Sequence, residues 1–117
     1  MSSPCFGRVI WVTLPDQRGL ASERHPAVII TPTAEITPDG TVWVVGVSTK
    51  SHLASPDVQT ELQYDPRGNC RSLLRRQCWA VSTWLEEIPV SSIEAYAGTI
   101  PGRTMLEIYG KIPNPPV

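Results

Sequence analysis

The sequence is short of the residues that usually announce chemistry. It holds only three cysteines and two histidines. Cys5, Cys70 and Cys78 are odd in number, lie far apart and make no CxxC pair, which argues against both a zinc site built by the protein and a disulfide framework. No GxGxxG, P-loop, GxSxG or HExxH pattern occurs, so dinucleotide, phosphate-loop, esterase and zincin chemistry find no support. Apolar runs never approach the ~20 residues of a bilayer-spanning helix. The start, Met-Ser-Ser-Pro-Cys-Phe-Gly, has neither the basic region nor the apolar stretch of a signal peptide. A cytoplasmic protein without membrane attachment is expected. An excess of either charge is also missing: 10 Lys and Arg face 11 Asp and Glu, for a net charge of −1. There is therefore no global sign of nucleic-acid binding.

What is present suits one soluble domain. At 117 residues the chain can bury roughly two-thirds of its unfolded surface. With 41% hydrophobic and 18% charged residues it is not disordered. Twelve prolines and eight glycines, spread along the chain, exclude a long helical bundle. A single domain over 1–117 is expected, with its core over about 7–112 and a proline-rich tail at 113–117.

Strand-forming runs dominate. Residues 7–14 (GRVIWVTL) are rich in branched and aromatic side chains and end at Pro15. Residues 15–25 are polar and aperiodic and read as a long loop, a length that is usually functional. A central strand is expected over 26–31, and a Pro38-Asp39-Gly40 turn leads into the strongest strand, 41–49, where Gly46 signals a bulge or a close backbone approach. Residues 58–64 alternate apolar and polar. A β-competent run covers 78–84, with a further short strand at 85–89. Ser91-Ser92-Ile93-Glu94 reads as a helix start closed by Gly98, and Met105, Leu106, Ile108 and Tyr109 are near helical spacing. Five or six strands followed by one or two short helices make a mainly β, α+β fold or small barrel.

Charge is uneven along this frame. Arg67, Arg71, Arg75 and Arg76 have no acid between them, whereas Glu86, Glu87, Glu94 and Glu107 lie further on. Such a local basic segment can hold an anion on a nearly neutral body. Trp11 and Trp43 fall inside expected strands and read as core; Trp79 follows the arginines and is a candidate base-stacking platform.

Gly7-Arg8-Val9-Ile10-Trp11-Val12, then Arg18-Gly19, then Arg24-His25-Pro26-Ala27-Val28-Ile29-Ile30 resemble the opening strand, loop and second strand of the PemK/MazF-like toxins. The run Trp43 to Thr49 is similar to that family's third strand, which ends in a Ser/Thr motif, and Val81 to Pro89 resembles a stretch of some divergent members. The likeness spans about residues 7–112. It implies an SH3-like barrel of five to seven strands, a homodimer, and sequence-selective cleavage of single-stranded RNA by the toxin of a type II toxin–antitoxin system. It also implies an antitoxin partner whose disordered tail fills the RNA groove. The family's catalytic arginine precedes the proline; here that position is His25, with Arg24 one residue earlier. The family's Ser/Thr maps onto Ser48, less well onto Thr49, and a downstream aspartate maps near Thr83 and is missing.

Metal-free RNA cleavage needs a base for the 2′-hydroxyl proton, an acid for the leaving 5′-oxygen and a cation for the phosphorane charge. Histidine titrates near working pH, arginine binds phosphate in bidentate fashion, and a serine hydroxyl orients a phosphate oxygen. The expected catalytic residues are thus Arg24, His25 and Ser48, with Arg18, Thr49, His52, Arg75, Arg76 and Trp79 binding RNA and neither cofactor nor metal required. The competing expectation is a catalytically impaired barrel that binds nucleic acid or an antitoxin-like peptide without cutting. Gyrase-poisoning toxins share this barrel, and nothing in the C-terminal residues points to that activity.

Overall fold

The computed structural model describes residues 3–115, with His52 described by its backbone alone. The end of the expected tail, Pro116 and Val117, lies outside the described residues. Six strands, β1 (Arg8–Pro15), β2 (Ser22–Ile29), β3 (Thr41–Ser48), β4 (Gln59–Leu62), β5 (Cys78–Pro89) and β6 (Ala95–Thr99), precede one helix, α1 (Gly102–Gly110). The strands form one antiparallel sheet in the order β4-β5-β3-β2-β1-β6. The mainly β, α+β expectation holds, with six strands and a single α-helix.

Period-two alternation sets the two faces of the sheet. Ile10, Val12 and Leu14 of β1 join Ala27, Ile29, Val42, Val44, Val81, Trp84 and Ile88 in one apolar cluster. Val9, Val28, Val45, Val47, Leu62 and Ala80 turn the other way and meet Met105 and Ile108 of α1. The helix therefore covers one face of the sheet. Lys111 just beyond it donates from Nζ to the Gln59 carbonyl at 2.7 Å, and Ser82 Oγ donates to the Ile108 carbonyl at 2.8 Å.

The β1–β6 and β3–β5 ladders each shift register, and the larger shift lies between β3 and β5. Val45 pairs with Leu85 but Val47 pairs with Ala80, so four residues of β5 (81–84) stand against Gly46 alone. β5 bends sharply there. This is why the two runs expected as separate strands, 78–84 and 85–89, form one continuous strand, and it bears out the bulge expected at Gly46. A Cβ at Gly46 would overlap the Trp84 ring, with Cε2 only 2.7 Å away.

Three expectations are corrected. The long loop over 15–25 shrinks to 16–21, because Ser22, Glu23, Arg24 and His25 pair with Pro15, Leu14, Thr13 and Val12. Ladder hydrogen bonds override the polar composition there. The expected helix ending at Gly98 is a 3-10 turn over Val90–Ser92 followed by β6. Glycine is needed at 98 because backbone passes directly over it: Gly98 N–H donates to the Ser72 carbonyl at 3.0 Å and Thr99 N–H to the Arg71 carbonyl at 3.1 Å. Finally, Trp11 and Trp43 are half-buried rather than core residues.

Candidate functional site

A groove of about 820 Å³ opens along the sheet. Trp11, Arg24, His25, Pro26, Val47, Ser48, Cys78 and Ala97 line it from the strands, and Thr49, Lys50 and Leu53 from the segment after β3. The β1–β2 loop contributes Asp16, Gln17, Arg18 and Leu20, and the segment before β5 contributes Leu73, Leu74, Arg75 and Arg76.

An aspartate organises the loop on each side. Asp16 Oδ1 accepts from Arg18 N–H at 3.0 Å and Leu20 N–H at 2.9 Å, and Gly19 closes the turn with φ +71°. Those backbone donors, Leu20 foremost, and the Arg18 charge hold the Asp16 carboxyl below the usual range despite a desolvation penalty. Asp65 repeats the device: Oδ1 accepts from Arg67 N–H and Oδ2 from Asn69 N–H, both at 3.1 Å, around Gly68 at φ +73°. In both loops the short acid satisfies backbone donors, which leaves the longer side chains to project. Five cations (Arg18, Arg24, Lys50, Arg75, Arg76) thus line the groove against two carboxylates (Asp16, Glu23). One of those two is already committed to its own loop.

The register explains why neighbouring residues differ. Arg24 lies opposite Thr13, with Trp11 two residues on, and its guanidinium sits 4.6 Å above the Trp11 ring centroid. Its Nε donates to Glu94 Oε1 at 3.3 Å, and Thr13 Oγ1 donates to Glu94 Oε2 at 2.6 Å. The Thr13 hydroxyl first, and then Arg24, hold the Glu94 carboxyl below its ordinary value against some desolvation. The Arg24 side chain stays 52% exposed.

His25 alternates with Arg24 along β2 and meets Trp84 edge to face, with ring centroids 4.8 Å apart, while both residues still line the groove. Its Nε2 is buried without a hydrogen-bond partner among the described residues, since Glu23 Oε2 stands 3.8 Å away. Ser48, 8% exposed, accepts the Lys50 N–H at 3.0 Å and retains its own proton to donate.

The groove therefore gathers Arg18, Arg24, His25, Ser48, Thr49, Arg75 and Arg76 from four separate stretches of chain. Trp79 is not among its lining residues; it is half-buried, opposite Ser48 on one side and Glu61 on the other. The His52 side chain lies outside what is described. Trp11, Leu20, Lys50 and Leu73 were not expected there. Lys50 adjoins the Ser/Thr motif and was legible from it, whereas the Arg24–Glu94 pair joins residues 70 apart and had no local signal. A second cavity of about 480 Å³ shares Asp16, Gln17, Arg18, Leu53 and Trp84 with the groove and adds Thr83 and Glu86. Among the described residues no group of three His, Cys, Asp or Glu side chains comes together as a metal-binding set.

Residues 6–114 match the model of the PemK-like, MazF-like toxins of type II toxin–antitoxin systems. The fold is similar to an endoribonuclease from a Mycobacterial species (17% identity, TM-score 0.69, 98% of each chain covered). It is also similar to MazF from Deinococcus radiodurans (18% identity, TM-score 0.69, covering 96% of this chain and 94% of that one). A MazE–MazF structure from the same organism matches with 16% identity and a TM-score of 0.65, over 95% of this chain and 94% of the other. A search of curated protein sequences finds no significant match.

Proposed function

The chain belongs to the PemK-like, MazF-like toxin family of type II toxin–antitoxin systems, and on that premise we propose that it cuts single-stranded RNA without a metal cofactor, through Arg24, His25 and Ser48. RNA carries its own nucleophile. The 2′-hydroxyl attacks the adjacent phosphorus, the 5′-oxygen of the next nucleotide leaves, and a 2′,3′-cyclic phosphate and a 5′-hydroxyl result. His25 serves proton transfer, because its buried Nε2 has no partner of its own among the described residues. Arg24, fixed through Nε and by stacking on Trp11, carries the phosphorane charge. The Ser48 hydroxyl orients a phosphate oxygen. Arg18, Thr49, Arg75 and Arg76, joined by Lys50, hold the flanking backbone.

The observation that carries this reading is the convergence of an imidazole whose Nε2 has no hydrogen-bond partner among the described residues, a guanidinium and a buried hydroxyl in one cationic groove. The partner is a cognate antitoxin, as in the MazE–MazF structure and in the Mycobacterial endoribonuclease solved with its antitoxin. The working form is a cytoplasmic homodimer of this single domain.

A second reading, binding without cleavage, draws on the engagement of Arg24 by Glu94 and on the aspartate that the family resemblance would place near Thr83 and that this sequence lacks. One experiment separates them. The antitoxin-free protein is incubated with a defined pool of single-stranded RNA in the presence of chelator, and cut ends are mapped. Cleavage should fall on the order of 100-fold in Arg24→Ala, the scale of one lost transition-state donor. Cleavage should also fall by about 100-fold or more in His25→Ala, the scale of a lost proton-transfer group. Intact RNA across the pool, together with salt-dependent binding, would establish the second reading.

A further inference from the structure

Leu73 is the one non-glycine with positive φ among the described residues, at +63°. Glycine, asparagine and aspartate ordinarily fill that region, and a bulky side chain there is strained. Burial does not explain it, because Leu73 is 52% exposed. Its neighbours hold it in place instead. Ser72, 1% exposed, donates from Oγ to the Gln63 carbonyl at 2.9 Å and accepts Gly98 N–H at its own carbonyl. Leu74 is buried in the core, and its carbonyl accepts Asp65 N–H at 2.9 Å. With both flanking residues turned inward, the strained backbone directs Leu73 into the groove beside Arg75 and Arg76. Leu20, the most exposed large apolar residue described, opens on the same groove from the Asp16 loop. Strain that persists at the rim of a site points to a role for the side chain it displays.

We propose that Leu73 is a nucleobase contact: one base of a single-stranded RNA packs on its apolar face while Arg75 and Arg76 hold the phosphates on either side. The proposal rests on the ribonuclease reading above and names the subsite. A nucleotide offers an apolar ring face and an anion within one repeat, and a leucine followed closely by two arginines matches that pairing on a groove whose lining is cationic.

The test compares wild type with Leu73→Ala, which removes the side chain and keeps the strain, and Leu73→Gly, which removes both. With a random-sequence single-stranded RNA pool, KM should rise about 5-fold in both variants, the scale of losing part of a leucine side chain's apolar burial, with kcat unchanged. The Tm of Leu73→Gly should equal or exceed that of Leu73→Ala. An unchanged KM in both variants, or a kcat that falls in step with Tm, overturns the proposal. Should wild type leave the pool uncut, the ribonuclease reading fails, and Kd for the same RNA becomes the readout. A higher Kd in both variants then upholds the base contact; equal Kd values, or no binding by wild type, overturn it. Loss of affinity for an acidic, leucine-containing peptide with RNA binding intact overturns it in favour of a peptide groove.

Discussion

Gly46→Ala should be among the most damaging single-methyl additions to this protein, because it strikes the bend that shapes both the sheet and the groove. The new Cβ overlaps Trp84 Cδ2 and Cε3 and lies 2.7 Å from Cε2, so the indole must retreat by well over 1 Å, roughly 1.3 Å at the least, to reach an ordinary carbon–carbon contact. It has little room to do so. Trp84 is 5% exposed, its indole N–H donates to the Pro15 carbonyl at 2.9 Å, and the His25 ring rests against it. Forced overpacking costs ~1–3 kcal/mol and a lost neutral hydrogen bond ~1 kcal/mol, giving about 2–4 kcal/mol in total. At ~4 °C per kcal/mol for a chain of this size, Tm should fall by about 8–16 °C in scanning calorimetry. Trp84→Leu supplies the control. It carries its own cavity cost, but adding Gly46→Ala to it should cost under ~1 kcal/mol, because the clashing ring is gone. Additive losses in that double-mutant cycle, or a Gly46→Ala Tm within about 2 °C of wild type, would refute the reasoning.

Three further outcomes follow from the same geometry. Gly98→Ala drives a methyl onto the Arg71 carbonyl and to 2.7 Å from the Ser72 carbonyl carbon, so native hydrogen exchange should show the amides of 70–76 losing protection before the rest of the sheet. Glu94 has its folded pKa lowered, so its contribution to stability is complete above the ordinary glutamate value and disappears as pH falls through the folded one. The Tm gap between wild type and Glu94→Gln should therefore hold above about pH 4.5 and close as the pH falls below it, and a gap that widens on acidification would contradict the pairing. Burial pushes the Cys78 thiol up to about 11, so peptide mapping after iodoacetamide at about pH 8 should find Cys78 unmodified in the folded protein and modified in guanidinium.

The strand content was readable because it is written in local pattern. Branched and aromatic runs punctuated by proline and glycine locate β1, β3 and the two halves of β5, and Gly46 marks the bulge that joins those halves. The family likeness came from the same stretches, where strand residues and the Arg24-His25-Pro26 run stand in the order of the family's pattern. Reading failed where partners rather than propensity decide. The polar run Ser22–His25 is a strand only because β1 lies beside it, and Ala95–Thr99 is a strand because β1 and the 71–72 backbone hold its edges.

The candidate site divides in the same way. Arg24, His25, Ser48 and the arginine cluster were visible as residue types at motif positions, since one side chain's chemistry is a property of the sequence alone. Their relation was not. Only the assembled sheet sends Arg24 to Trp11 and Glu94 and His25 to Trp84, although the two are adjacent in the chain. Only the fold brings residues near 18, 24, 48 and 75 onto one groove while leaving Trp79, which follows those arginines in sequence, off its lining. Leu73 is the limiting case. Nothing in its neighbours' identities marks a left-handed leucine, because the constraint comes from hydrogen bonds reaching to Gln63, Asp65 and Gly98. Contacts between distant segments cost chain entropy that only a completed core can offset, so they are fixed by the tertiary structure and carry no local signature.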